Sequence, residues 1–465
     1  MELNQFNELK KYSEASGVMA VIDDDCKVEL NEYGLYEETF SKAIDDATLK
    51  LSPNFNEEID ESLMGEKLYA GVPNINYDQR LGYYLDNYVG HVNEESFREN
   101  ASSGGFASWI LVELYKQNKI DGVIHVKKSS TPGKLFEYDI SDTIDEIIDG
   151  AKTKYYPVEL SKVLKKIRKS NKHYAIVGIP SFIMAVRLLQ YYNEDFKETI
   201  KYTIGLVCGH QKSSRFADFM AWQMGVKPAE LVDIDFRHKL DDRPANDYGI
   251  KVIGKNNDGS IQEVITPKSQ LKGQNWGHGY FKPFASDYTD DVMNETADVT
   301  VGDAWIKEYQ KDSGGNNILV VRHPEINALI QDAMEEKRLV FDRVDKEVIN
   351  RSQASHFRHT QQELSYRLYK QEEKQEWTPK KRVEPNNNIS QSRKEVQDLR
   401  YKISTLSHTQ FKKSLEHDDL MEFINLMTPL EQEYANVYQK MTFQQLTVIG
   451  KMRHFIRKIV RSLRK

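Results

Sequence analysis

Between residues 106 and 321 the chain alternates two kinds of apolar block. Residues 106–115 are apolar with helical spacing and read as the first core helix. Gly122-Val123-Ile124-His125-Val126 is short and β-branched, the pattern of a buried strand. Residues 159–170 have helical spacing and end in basic side chains. Residues 174–180 read as a second strand running into a Gly-x-Pro turn, and residues 182–192 as an apolar helix that starts there. Residues 202–210 form a third strand with a loop at its carboxyl end, and residues 217–225 a further helix. Residues 297–305 read as a strand ending in a Gly-Asp-x-Trp loop, and residues 318–321 as another strand. Strand and helix at this spacing predict an α/β fold, α+β overall, with parallel strand pairs. Ligands of such sheets bind beyond the carboxyl ends of the strands. Gly178, Pro180, Cys208 and His210 fall there.

The two ends of the chain read differently. Residues 1–60 hold short apolar pieces broken by Asp23-Asp24-Asp25, with a turn at Tyr33-Gly34, which predicts a small two-layer unit with hairpins. The acidic run lacks the glycine and distal glutamate of a calcium loop and reads as a solvated turn. From about 346 the sequence is polar and helical, with helices expected over 393–405, 408–427 and 430–441. In residues 451–465 the apolar positions Met452, Phe455, Ile456, Ile459, Val460 and Leu463 share one face, and the rest is basic. Two readings stand: a helix lying on an anionic membrane surface, or a docking helix with a basic outer face.

Composition narrows the class. The 465 residues are 39% hydrophobic and 29% charged, as in a globular protein with a polar extension. A net charge of −7 gives no nucleic-acid signature. The N-terminus carries no secretory pattern, and no run reaches the ~18 apolar residues that span a bilayer. With Cys26 and Cys208 the only cysteines, the expectation is a cytoplasmic protein without a disulfide framework.

The candidate chemistry begins at Asn100-Ala101-Ser102-Ser103-Gly104-Gly105, immediately before the first core helix. Glycines let the backbone approach a ligand, and a helix N-terminus favours an anion. The same residues also make an ordinary N-cap and turn. His210 is a candidate general acid and Cys208 a candidate nucleophile, against a polar loop residue and a small buried hydrophobe. Asp303 and Trp305 are candidates to line the crevice, and Arg237 and Lys239 to bind an anionic donor.

Five of these stretches, Asn100 to Gly105, Thr153-Lys154-Tyr155, Gly178-Ile179-Pro180, the run ending Cys208-Gly209-His210 and the run ending Gly302-Asp303-Ala304-Trp305, share order and spacing. Together they resemble the coenzyme F420 hydrogenase/dehydrogenase beta-subunit family over about residues 10–345. The resemblance implies a ferredoxin-like module at 1–65, a flavin-binding-type core at 78–345 and a helical extension at 346–465. Members of that family are iron–sulfur flavoproteins that pass electrons between clusters and FAD. Many relatives look like components of capsule or exopolysaccharide pathways. By resemblance, Asn100, Ser102, Ser103, Gly104, Gly105 and Lys154 handle the FAD pyrophosphate, with Tyr155, Gly178 and Pro180 near the ring or ribose.

The departures are as informative. The family's Cys-x-Gly-Cys-Gly-x-Cys run corresponds to Ser13-Glu14-Ala15-Ser16-Gly17-Val18-Met19, which makes the ferredoxin-like module degenerate. A fourth cysteine, before proline, corresponds to Ser52, and the cysteine after Gly-x-Pro to Ser181. The Cys-x-x-Cys-Asp-Asp element corresponds to Ser286-Asp287-Tyr288-Thr289-Asp290-Asp291. Clusters are held by thiolates, usually four each, so no iron–sulfur cluster and no other metal is expected. The expected function is an FAD-dependent oxidoreductase in glycan biosynthesis, acting on a small molecule or a glycan carrier. The alternative is a non-redox transferase or binding component that takes a nucleotide-sugar or phosphorylated carrier. A protein partner at the N-terminal module and peripheral membrane contact at 451–465 complete the expectations.

Overall fold

Runs such as Tyr174–Gly178 are apolar at nearly every position because both faces of the strand are covered. In a computed structural model, which describes residues 1–256 and 258–445, Tyr174 and Ile176 point into one apolar layer and Ala175 into the other. Period-two alternation between two buried faces thus sets the architecture.

Eleven strands position the site. They are β1 (Asp86–Val92), β2 (Gly122–Lys128), β3 (Phe136–Ser141), β4 (Tyr174–Gly178), β5 (Ile200–Leu206), β6 (Leu231–His238), β7 (Gly249–Lys255), β8 (Ile261–Pro267), β9 (Val299–Asp303), β10 (Asn317–Val321) and β11 (Leu339–Arg343). Eight form one sheet in the order β11-β1-β10-β9-β5-β4-β2-β3. The central strands β9, β5, β4 and β2 are mutually parallel, and the pairs outside them are antiparallel. Strands β6, β7 and β8 form a separate antiparallel sheet. The α/β class expected from the alternation is the one found.

Helices α1 (Phe106–Lys116), α2 (Ser161–Ile167), α3 (Pro180–Tyr192), α4 (Arg215–Gln223) and α5 (Pro324–Glu335) accompany these strands. Phe106, Trp109 and Ile110 of α1 share one apolar layer with Ile326 and Ile330 of α5. Leu164 of α2 and Phe182 and Val186 of α3 share the other with Phe6, Tyr12 and Val18 from the start of the chain. Gly105 enters α1 with φ +89°, a left-handed cap that glycine adopts without strain.

The N-terminal segment is a hairpin of Lys27–Leu30 and Tyr36–Thr39 among short helices, with Phe6 edge-on to Phe40 at 5.0 Å. Residues 346–386 return to this region. The Tyr12 hydroxyl donates to the Trp377 carbonyl at 2.7 Å, and the Trp377 ring stacks on Phe55 at 5.6 Å.

The described residues pack as two units, Met1–Gln274 with Lys282–Asn386, and Asn275–Phe281 with residues 387–445. In the second unit α6 (Gln391–His417) and α7 (Leu420–Gln445) form a hairpin. Three helices were expected over 393–441, and two are found. The break lies at Asp418, with φ +51°, while α7 continues through Pro429. Phe281 packs on Phe411 and Phe423 at 5.1 and 5.9 Å, and its N–H donates to Ser407 Oγ at 2.7 Å. The amphipathic stretch expected at 451–465 lies outside the described residues. No described helix is long and apolar enough to cross a membrane.

Candidate functional site

The carboxyl ends of β4, β5 and β9 open into a cleft of about 290 Å³, and the N-terminus of α1 forms one wall. Of the residues expected at a site, Ser102, Ser103, Gly105, Lys154, Tyr155, Gly178, Cys208, His210, Arg237 and Asp303 line it. Asn100, Gly104, Pro180 and Trp305 do not.

Each of those four has a physical role elsewhere. Asn100 is exposed, and its side-chain amide donates to Ser96 Oγ at 3.1 Å. Gly104 lies against strands: a Cβ there would fall 2.7 Å from Asn317 Oδ1 and 2.8 Å from the Gly90 carbonyl oxygen. Pro180 is buried as the first residue of α3, where its missing N–H costs nothing. Trp305 stands behind Arg237, whose guanidinium lies 5.8 Å from its ring.

The turn before α1 is tied to its surroundings at each step. Ser102 Oγ accepts the Thr153 N–H at 2.9 Å, which joins the turn to the 152–156 loop. Ser103 Oγ donates to the Asn316 carbonyl at 3.0 Å, and the Phe106 N–H donates to Asn317 Oδ1 at 3.2 Å. Ala107 and Ser108, in the first turn of α1, face the cleft. N–H groups in a first turn have no partners within their helix.

The cations around the cleft are held in different ways. Lys154 Nζ donates to the carbonyls of Gly150 and Ala151, and burial pulls its ammonium down to about 7. Lys152, at φ +75°, pairs with Asp235. Lys212 is buried in the cleft wall with its ammonium 5.0 Å from the Phe216 ring centre. Arg237 and Lys239, expected to meet an anionic donor, both have protein partners, and Arg237 also lines the cleft. Arg237 forms a two-pronged pair with Asp303, while Lys239 donates to the Ser103 carbonyl at 3.0 Å and to the Arg98 carbonyl.

Tyr155 lies edge-on to Phe236 at 5.5 Å and Phe216 at 6.3 Å, an aromatic wall on which a flat ring could rest. Cys208 Sγ donates to the His210 carbonyl at 3.4 Å, and burial pushes the thiol up to about 12. It is therefore protonated at neutral pH and no ready nucleophile. His210 is buried in the same wall.

Sequence reasoning missed His125, Lys152, Lys212 and Asn317. His125 lies mid-strand, 2.8 Å from Ser141 Oγ, and burial holds its ring neutral with a pKa of about 3. Its place in an apolar strand run was the available signal. Asp298 is structural: it accepts from Thr203 N at 2.7 Å and pairs with buried Arg187 at 3.0 Å.

The positions that correspond to cluster cysteines also come together. Ser52, Ser181 and Thr289 meet with Glu14 and Lys381 around a second cavity of about 10 Å³, room for about one water. Glu14 accepts from Thr289 Oγ1 at 3.2 Å, from Ser286 Oγ at 3.4 Å and from the Gln211 side chain. In the 13–19 loop Glu38 does the equivalent, accepting from Ser13 Oγ at 2.5 Å and the Gly17 N–H at 3.2 Å. Among the described residues, no group of three His, Cys, Asp or Glu side chains is arranged to hold a metal ion.

Two family models match the chain in succession. Residues 87–165 match the one for the N-terminal part of the coenzyme F420 hydrogenase/dehydrogenase beta subunit, and residues 171–347 match the one for its C-terminal part. No curated protein matches the chain by sequence. Among solved structures, a chain of the F420-reducing [NiFe] hydrogenase complex from Methanosarcina barkeri is similar at 15% identity and a TM-score of 0.46, over 62% of this chain and 94% of that one. With adjoining models accounting for more than half of its residues, including those that build the cleft, the protein belongs to the coenzyme F420 hydrogenase/dehydrogenase beta-subunit family.

Proposed function

We propose that the protein is an FAD-dependent oxidoreductase that works without iron–sulfur clusters in capsule, exopolysaccharide or related glycan biosynthesis. The observation that carries this reading is the convergence of the Ser102–Gly105 turn, Lys154 and the Gly178–Ile179 loop on one cleft at the strand ends. Backbone donors at the start of α1 and one ammonium suit a pyrophosphate. The Tyr155 wall suits a flat ring. When bound, FAD would supply two-electron hydride chemistry at that ring. His210 is the imidazole in the same wall that could exchange a proton beside it, while His125 stays neutral.

The other cofactor of the family does not fit these residues. Hydroxyls at Ser13, Ser16, Ser52, Ser181, Ser286 and Thr289, and the Met19 thioether, offer no thiolate set. Glu14 and Glu38 reach into the same loops, and the remaining cavity has room for about one water. Electrons would then come as hydride from a soluble donor.

Titration of the purified protein with FAD, with absorption spectra before and after a reductant, tests the reading. Stoichiometric uptake and a bleachable flavin band are expected, without iron or sulfide. The insertion of carboxylates where thiolates would be favours a second reading, in which the cleft holds a nucleotide-sugar or phosphorylated carrier without redox change. Saturable binding of UDP-sugars with no FAD uptake would establish it. A changed surface polysaccharide in a strain lacking the protein would support the glycan assignment, and an unchanged one would remove it.

A further inference from the structure

Glu14 lies at the junction of two regions that the chain separates by nearly 200 residues. It belongs to the degenerate N-terminal loop, yet its carboxylate accepts from the side chain of Gln211, 197 residues further along. Gln211 lines the cleft between His210 and Lys212. The same carboxylate accepts from Thr289 and Ser286, and Ser286 Oγ in turn accepts the Gln211 backbone N–H at 3.3 Å. Gln211 is thus held from its side chain by Glu14 and from its backbone by Ser286. Burial pushes the Glu14 carboxyl up, while the hydroxyls of Ser286 and Thr289, the Gln211 amide and the charge of Lys381 pull it down. Burial outweighs these, so the carboxyl sits above its ordinary range, and what holds Gln211 is the geometry: three donors, Thr289, Ser286 and the Gln211 amide, converge on one buried side chain.

We propose that Glu14 is a positioning residue for the cleft: through Gln211 it fixes the Cys208–Lys212 wall against which a bound cofactor would lie. This rests on the FAD reading for its consequence, but the link itself is a property of the chain. The loop of residues 13–19, which by resemblance would hold metal, serves here as a strut for the neighbouring binding wall.

Site-resolved alkylation separates this role from mere stability. Cys208 lies in the wall that Glu14 fixes, and Cys26 is buried in the N-terminal segment that carries Glu14. N-ethylmaleimide labelling of Glu14→Ala, followed by peptide mass spectrometry, should show Cys208 reacting at least about 10-fold faster than in the unaltered protein, with Cys26 unchanged. Gln211→Ala cuts the same link from the cleft side and should give the same selective increase if the Glu14 variant folds poorly. Combining the two should raise the Cys208 rate little beyond Glu14→Ala alone, because the Glu14–Gln211 bond is the interaction both remove. A parallel rise at Cys26 and Cys208 in both variants would make Glu14 a general stabiliser and overturn the proposal, as would no change at Cys208. In FAD titrations the same variants should bind about 10-fold more weakly. If the unaltered protein takes up no FAD, the oxidoreductase reading fails, and the cysteine rates still decide the role of Glu14.

Discussion

Arg237 and Asp303 meet at the edge of the cleft in a two-pronged pair, with Nη1 to Oδ2 at 2.7 Å and Nη2 to Oδ1 at 3.1 Å. The guanidinium is roofed by Tyr248, 5.0 Å from its ring centre, and by Trp305. Arg237, which donates both bonds, comes from β6 of the small sheet, and Asp303, which accepts them, from the end of β9 in the large one, so the pair pins the two sheets together.

Arg237→Ala leaves the Asp303 carboxylate without its partner. Because Asp303 keeps 20% exposure, the expected loss is about 3 kcal/mol, the low end for a broken buried pair. Arg237→Lys should recover only part of it, since an ammonium cannot make both bonds at once. Urea unfolding of the three proteins checks this.

Gly104 and Gly105 answer to different constraints. Gly104→Ala would place a methyl 2.7 Å from Asn317 Oδ1, and Gly105→Ala would force a side chain into φ +89° while meeting the Phe97 carbonyl at 2.8 Å. Each should cost about 2 kcal/mol or more, and each should shift the start of α1 and so weaken any anion bound there. Ser108→Ala, in the same first turn but free of backbone strain, is the control. Thermal melts with and without FAD distinguish the three.

Lys154 should set a pH dependence of ligand binding. Its ammonium is drawn down to about 7, so raising the pH through that value removes the charge. FAD affinity should therefore fall as pH rises from 6 to 8. Lys154→Met should bind about 10-fold more weakly, in line with about 1.5 kcal/mol for a hydrogen bond to a charged group, and should lose the dependence. Fluorescence titration across that range measures it.

Glu38 makes a prediction of opposite kind, about the fold itself. Burial is the main cause of a carboxyl pushed up from 4.5 to about 7, with Glu159 adding to it and the bonds from Ser13 and Gly17 opposing it. The folded state then holds a proton that the unfolded state releases. The contribution of this group is complete below pH 4.5 and declines as pH rises through about 7. Glu38→Gln should flatten that decline, by about 3 kcal/mol at most across the window. The comparison is of melting temperatures for the two proteins between pH 4.5 and 8.

How much of this could be read in advance depends on the range of the interaction. The four parallel strands were legible because burial on both faces writes a continuous apolar run, as at Tyr174–Gly178. Strand β10 was legible too, at 318–321, but its antiparallel direction beside β9 was not, because direction is settled by pairing between distant segments. The Ser102–Gly105 turn was legible through its glycines. The protein partners of Arg237 and Lys239 were not legible, because Asp303 and the Ser103 carbonyl lie far away in sequence. Positions 52, 181 and 289 were placed by resemblance, and they meet in space. Glu14 and Glu38, which fill the loops around them, leave no mark of spacing or type. A helix end was expected between 427 and 430, but α7 runs through Pro429 while Phe423 stays packed on Phe411 at 5.2 Å.

The excursion of Asn275–Phe281 means that the helical hairpin is not an appendage that can be trimmed. The polypeptide visits that unit twice, once in mid-chain and once after Asn387. Cutting the gene at codon 387 would take Phe411 and Phe423 away from Tyr280 and Phe281, now 1% and 0% exposed. A shortened product ought to be sticky and poorly recovered, and any split of this protein into independently expressed halves has to carry the seven-residue loop with the hairpin, not with the sheet.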